Sequence, residues 1–356
     1  MSSFMNENFS QERFKNHLRK IGSGEHTSHG MTRKESADAL ELILKGSPTP
    51  AQIGAFFIAH RIRRPEPQEL AGMVDTYIKL GPKLHQNQEL TQPICFGMPF
   101  DGRSKTAPIY PLAILVLLDA GQPIVLHGAG PMPVKYGVTT EALFNALGLC
   151  LTKLSMDAVQ NGFVKHGLAL IHQPDHFPLA ETLISYREEI GKRPPVASME
   201  LLWTAHQGKH LLVTGYVHPP TEGRHTKALE ILGEQNIVTI KGLEGGTDIP
   251  ISRTTKATHI NNNHEKHLIL DPLQYACQGK DIRWEDLDRW RLISMQALNG
   301  EGPLAKAVVW NAGIYLWLAK ISDSIADGIQ KAEVSLTSGS AKATLQQLIK
   351  WRAEID

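Results

Sequence analysis

Between the apolar run Ile94–Phe96 and the apolar helical stretch Ile109–Leu118 lies Gly97-Met98-Pro99-Phe100-Asp101-Gly102, followed at once by Arg103 and Lys105. A glycine loop leading from a strand into a helix suits anions. Without Cβ atoms its backbone N–H groups approach a phosphate closely, and the helix N-terminus favours negative charge. Only part of that chemistry is written here. Pro99 has no N–H to donate, and Phe100 puts a ring where a phosphate would approach. Gly97, Asp101 and Gly102 remain to turn the chain. Arg103 and Lys105 open the helix and either line a binding cleft or belong to a solvated loop.

Other groups with chemical potential are scattered. Glu244 and Asp248 would hold Mg²⁺ between two carboxylates, or else close a hydrogen-bonded turn; no cofactor is expected. His259, His264 and His267 surround an asparagine run without the i, i+4 spacing of a helical zinc site, so no metal is expected there either. Cys95, Cys150 and Cys277 form neither a metal spacing nor a disulfide framework, which points to a reducing, cytoplasmic setting. His127 reads as a packing residue at a strand end. Arg187, followed by Glu188 and Glu189, is either an anion-binding arginine or one half of a surface ion pair.

The formal net charge of +1 excludes a globally basic protein but not a local basic face. Residues 11–64 carry ten Lys/Arg, among them Arg19, Lys20, Arg61, Arg63 and Arg64, against five Asp/Glu. With Lys135 and Arg193 they are candidates for contact with a polyanion such as nucleic acid; a solvated helical face is the competing reading. Lys342, Lys350 and Arg352 form a weaker patch on the last helix. Base stacking on single strands is not expected.

The elements that must position these residues fall into two lobes. A polar arm, 1–30, is expected to be loosely held apart from an amphipathic piece, Phe14–Ile21. A helical lobe, 31–92, follows, with capping boxes at Thr32/Glu35 and Thr49/Gln52, a third helix from Glu66 to Leu80, and room for a later helix. From 93 to 356 strands alternate with helices: Ile94–Phe96, Pro123–Leu126, Leu168–Ile171, Leu211–Tyr216 and Ile237–Ile240, with helices at 109–118 and 140–147. The fold class is α/β, a central sheet wrapped by helices, closed by helices at 304–321 and 338–354. No apolar run reaches the ~20 residues of a membrane span, and no signal-peptide core opens the chain.

Several segments together resemble the anthranilate phosphoribosyltransferase family over nearly the whole chain. Met31-Thr32 through Thr49-Pro50-Ala51-Gln52-Ile53-Gly54-Ala55-Phe56 to Arg61, then Glu69-Leu70-Ala71-Gly72, is similar to its N-terminal lobe. His127-Gly128 resembles its Lys-His-Gly strand end, and Arg187 to Arg193 its Arg-x-x-Leu-Gly-x-Arg segment. Lys241 to Asp248 resembles its metal loop, and Trp310-Asn311-Ala312-Gly313 a late helix. The resemblance implies a nucleoside phosphorylase/phosphoribosyltransferase-like fold and a homodimer through the helical lobe. It also implies a cleft near Gly97, Asp101, Gly102, Arg103, Lys105, His127, Gly128, His176 and Arg187, where Arg187 faces an aromatic carboxylate.

The residues of that family's chemistry are largely replaced. Its G-T-G-G-D-G loop falls on Gly97 to Gly102, and its Asn-x-Ser-Thr phosphate contacts fall on Ala107, Ile109 and Tyr110. The Lys before His-Gly is Leu126, the Asn-Arg after it is Ala129-Gly130, and the metal-binding Asp-Glu pair falls on Thr247 and Asp248. Each charge-assisted phosphate contact is worth roughly 1.5–3 kcal/mol, so losing several removes the means of holding a sugar pyrophosphate. Pro99, Gly102 and Arg103 before an apolar helix, with His-Gly and Glu244-Gly245, resemble a second branch of the superfamily. That branch keeps fold and dimer, lacks the sugar-phosphate motif and includes nucleic-acid binders. The expectation is a non-catalytic relative that binds nucleic acid or another polyanion. The alternative is a glycosyltransferase acting on a different substrate in the interlobe cleft.

Overall fold

Side-chain caps start the helical lobe. In the computed structural model, which describes residues 2–24 and 26–355 with side chains from Phe9 onward, helix α1 spans Ser2–Gly22, α2 Arg33–Leu44, α3 Pro50–Arg63 and α4 Pro67–Leu80. Met1, Glu25 and Asp356 lie outside the described residues. Both expected capping boxes form: the Glu35 N–H donates to Thr32 Oγ1 at 3.2 Å and the Thr32 N–H to Glu35 Oε2 at 2.7 Å, with Thr49 and Gln52 doing the same for α3.

The expected loose arm is instead mostly helix. Phe14 and Ile21 of α1 are buried, Phe14 lies 5.2 Å from the Phe56 ring of α3, and His17 meets Asp38 of α2 at 2.8 Å. Phe14, Leu18 and Ile21 recur at helical spacing, so one apolar stripe suffices to dock an otherwise polar segment. The lobe also receives later chain: the helix Leu183–Ile190 packs on α3, and the helix Pro219–Leu232 packs on α4.

Strands β1 (Leu84–His85), β2 (Ile94–Gly97), β3 (Ile124–Gly128), β4 (Leu168–His172), β5 (His206–Gln207), β6 (Leu211–Gly215), β7 (Asn236–Ile240), β8 (Thr255–Asn261) and β9 (His264–Leu270) complete the α/β part. β1 pairs with β5 alone, and the main sheet runs β4-β3-β2-β6-β7-β8-β9. The first five of these strands are parallel, with Phe96 opposite both Leu126 and Val213; β8 and β9 are antiparallel. Each parallel strand is buried along almost all its length, as a sheet covered on both faces requires.

The asparagine run is the turn of the β8–β9 hairpin, a feature absent from the expected strand series. Asn262 and Asn263 take φ of 48° and 64°, the pair of positive angles that a tight hairpin turn demands. His259 contacts Asn236 and His267 contacts Thr258, so the three histidines sit along a hairpin.

Chain order reverses at β2, which continues to β3 on one side and has β6 on the other. In such sheets the crevice outside the carboxyl ends at this switch point is where ligands bind. Helix α5 (Tyr110–Asp119) and the helices Ala305–Leu318, Ile325–Thr337 and Ser340–Ala353 close the other side of the core. The helix Ile325–Thr337 is absent from the expected series. No helix among the described residues is long and apolar enough to cross a membrane.

Candidate anion-binding cleft

Glycines 97 and 102 serve backbone packing. A Cβ at Gly97, the last residue of β2, would lie 2.0 Å from the Leu201 carbonyl oxygen, and one at Gly102, whose φ is 72°, would lie 2.2 Å from that of Val138. Between them Met98 and Phe100 are buried, and the Thr247 hydroxyl donates to Met98 Sδ at 3.0 Å. Phe100 is at once core and cavity wall.

After the turn the chain does not enter the helix directly. α5 begins only at Tyr110, so Arg103 and Lys105 do not start a helix as expected. Residues 104–106 instead form a nest, in which successive N–H groups point at one anion. The anion is the chain's own Glu244 carboxylate. It accepts from the N–H of Ser104 at 3.1 Å, Lys105 at 3.0 Å and Thr106 at 2.9 Å, and from the Thr106 hydroxyl at 3.0 Å. Lys135 Nζ stands 3.1 Å away. Burial works against this charge, yet Lys135, the nest and Arg103 hold the carboxyl at about 2.

Arg103 closes the network from inside. Its guanidinium is 2% exposed, donates to Asp248 Oδ2 at 2.6 Å and Glu244 Oε1 at 3.3 Å, and reaches the Thr106 hydroxyl. Asp248 also accepts the Ile109 N–H at 2.8 Å. The two carboxylates considered for Mg²⁺ thus share a guanidinium, whose planar fork reaches one oxygen of each, while Asp248 Oδ1 is buried without a partner among the described residues.

A cavity of about 710 Å³ opens beside this network at the carboxyl ends of β2 and β6 and reaches the end of α3. Its acids already have partners: Asp101 pairs with Arg193, Glu200 with Arg187, and Glu244 with Arg103 and Lys135. Arg61, Arg64 and Arg224 line it without an acidic partner among the described residues. Arg61 donates to the Arg193 carbonyl at 3.0 Å and Arg224 only to Thr221 Oγ1 at 3.4 Å. Burial, and then the charge of Arg64, push the Arg224 guanidinium down. Arg64 caps α3 at a φ of 65°, a costly conformation for a side-chain-bearing residue. Arg64 and Arg224 thus stand near enough to repel each other, with no acid paired to either among the described residues.

The expected site residues therefore separate. Asp101, Arg61, Arg64 and Arg193 converge on the cavity, while Gly97 and Gly102 shape the turn behind it. The surface ion pair considered for Arg187 is corrected: 1% exposed, Arg187 is held by Glu200 and Met132 in the interior rather than by Glu188 or Glu189. His176 lies outside the cavity lining, with one ring nitrogen accepting the His172 N–H at 2.9 Å and the other meeting the Leu154 carbonyl at 2.8 Å. His127 packs on Trp203 under complete burial, which pushes it down to about 3, and Gly128 stands beside Thr140. Arg63 is committed to Glu66 and buried Glu69, Arg19 reaches Glu12, and Lys20 pairs with Glu35 at 2.7 Å, all away from the cavity lining. Lys135 is drawn inward to Glu244 and the Gly102 carbonyl, and the Lys105 side chain is exposed outside the lining. Arg224 is absent from the expected set: Pro219-Pro220 marks a helix start, but nothing local says that the next turn faces α3.

Comparison with known proteins agrees with this architecture. Residues 15–81 match the helical bundle domain of a glycosyl transferase family, and residues 109–342 match its a/b domain. The anthranilate phosphoribosyltransferase of Laribacter hongkongensis (strain HLHK9) is 26% identical over 89% of this chain and 92% of its own length; that of Burkholderia orbicola (strain MC0-3) is 24% identical with the same coverage. Among solved structures, the anthranilate phosphoribosyltransferase of Thermus thermophilus superimposes with a TM-score of 0.77 at 19% identity, covering 95% of this chain and 98% of that one. The Saccharomyces cerevisiae enzyme in complex with PRPP and Mg gives 0.80 at 14% identity, covering 97% and 99%. With both of its domains matched in order, the a/b match alone spanning well over half the residues, the chain belongs to this glycosyl transferase family.

Proposed function

We propose that this chain is a diverged member of its family that binds a phosphate-bearing polyanion, nucleic acid in the first instance, in the interlobe cleft and does not transfer a phosphoribosyl group. The observation that carries this reading is the Glu244 carboxylate in the nest of residues 104–106. A pyrophosphate there would have to displace an anion that is covalently part of the chain, and a Mg²⁺ beside it would compete with Arg103. Arg61, Arg64 and Arg224 remain for phosphates arriving from outside. In this reading the protein works as a homodimer through the helical lobe, supported by the exposed Phe9 of α1 and Ile62 of α3.

A gel-shift titration at low salt is expected to show nucleic-acid binding that weakens steeply as salt is added; absence of binding sinks the proposal. Phosphoribosyl pyrophosphate with Mg²⁺ is expected to leave the melting temperature unmoved and to yield no product with anthranilate. The second reading, a glycosyltransferase for another substrate, is favoured by a cavity of small-ligand size and by the activity named for the curated relatives. Clear stabilisation by the sugar pyrophosphate would support it against ours. Light scattering that gives the mass of one chain rather than two removes the dimer.

A further inference from the structure

At the opposite end of the sheet from the cleft lies a buried cluster that the proposed function does not use. Cys95 is the second residue of β2, His206 opens β5 and His210 directly precedes β6. One ligand atom from each lies within 4.8 Å of the other two. These residues are 0%, 4% and 9% exposed, and neither ring nitrogen of His206 has a hydrogen-bond partner among the described residues. A buried imidazole with two idle nitrogens is costly unless something occupies one of them.

His210 is oriented as metal-binding histidines are. Its Nδ1 donates to the Gly208 carbonyl at 2.8 Å, since a carbonyl only accepts, and this leaves Nε2 as the lone-pair nitrogen. That nitrogen stands 3.2 Å from the Glu234 carboxylate, two residues before β7. Two lone-pair atoms face each other at that distance only with a cation between them or a proton on the ring. The amino ends of these strands border a cavity of about 650 Å³ that includes His210 and Glu234 and provides an entry path.

We propose that Cys95, His206 and His210, with Glu234 as fourth ligand, bind one divalent transition-metal ion, Zn²⁺ by the chemistry of the donors. Sulfur, two imidazoles and a carboxylate form a tetrahedral zinc set. Binding releases the thiol proton to solvent, and thiolate plus carboxylate then cancel the charge of the ion, which removes the main objection to burying it. Tetrahedral ligands of this kind sit about 3.5 Å apart, so Cys95, His206 and His210 need only a small contraction, while Glu234, which reaches only His210, has to swing inward to complete the set.

The test uses the full chain, stripped with a chelator and titrated with Co²⁺ and Zn²⁺. One ion per chain is expected, with a thiolate-to-cobalt charge-transfer band. Cys95→Ser should abolish the band, and His206→Gln should weaken binding by at least about 100-fold, more than the loss of an outer-shell partner costs. Cys150→Ser should change neither. Should Cys95→Ser fail to fold, the wild-type melting temperature with Zn²⁺ against chelator decides: a rise supports the site and no change overturns it. Failure of the unaltered chain to take up an ion, or a band that survives Cys95→Ser, also overturns it. That result would leave His210 simply as a neighbour of Glu234, and neither outcome bears on binding in the cleft.

Discussion

Glu244→Gln is expected to lower the unfolding free energy by about 3 kcal/mol at neutral pH. The variant keeps the shape of the side chain and loses its charge. The carboxyl is held at about 2, against an ordinary value of 4.5, by partners that prefer the ionised form. A depressed value means stabilisation that is fully present above the unfolded pKa and lost as pH falls through the folded one. Urea denaturation of the two proteins should therefore diverge most at pH 6–8 and converge between about pH 5 and pH 2. Equal stability at pH 7 would mean that the nest does not depend on Glu244. With Glu244→Ala the loss should be greater still, because three N–H groups, Arg103 and Lys135 are left around an empty anion position. Added pyrophosphate should then raise the melting temperature of the alanine variant while leaving the parent unchanged. A variant indifferent to pyrophosphate would show that the nest is too narrow for an external anion, and that Met98, Pro99 and Phe100 close it independently.

What the sequence makes legible follows from the range of each interaction. Capping boxes need only three or four neighbouring residues, and Thr32/Glu35 and Thr49/Gln52 are readable outright. The parallel strands announce themselves as apolar runs because both sheet faces are covered. The hairpin β8–β9 escapes such reading since its outer strand opens with four consecutive exposed polar residues, His264 to His267, and the Asn262-Asn263 turn sits inside what looks like a histidine cluster. Helix α1 escapes it because polar composition outweighs one apolar stripe. At the site, the loss of phosphate contacts in Met98-Pro99-Phe100 is visible locally. What replaces them is not: Glu244 meets the nest across about 140 residues, and Arg103 joins Asp248 across a similar span. The same limit explains Arg187, which stands in sequence beside Glu188 and Glu189 but is paired in the interior with Glu200.

Removing both Arg64 and Arg224 as alanines is expected to weaken nucleic-acid binding by at least about tenfold for each side chain at low salt, taking roughly 1.5 kcal/mol per charge-assisted phosphate contact. The slope of log K against log salt should fall by about one for each arginine, because each lost phosphate contact is one fewer counterion released. The free protein should respond in the opposite sense. Arg224 is half-buried, and Arg64 adds repulsion to its desolvation, while neither has an acid to lose among the described residues. Arg64 also holds a strained backbone angle, which Arg64→Gly would relieve. The double alanine variant should thus melt no lower than the parent, and the glycine variant slightly higher. Weaker binding without lower stability is the signature of residues kept for a ligand, since a structural ion pair would lose both together. Arg193→Ala makes the useful contrast. Its removal strands the 5%-exposed Asp101 without its cation, so stability should fall along with binding. If the Arg64/Arg224 variant binds nucleic acid as tightly as the parent and with the same salt slope, the cleft is not the binding surface. The unpaired arginines would then have to be assigned to a small anionic substrate, which returns the chain to the enzymatic reading.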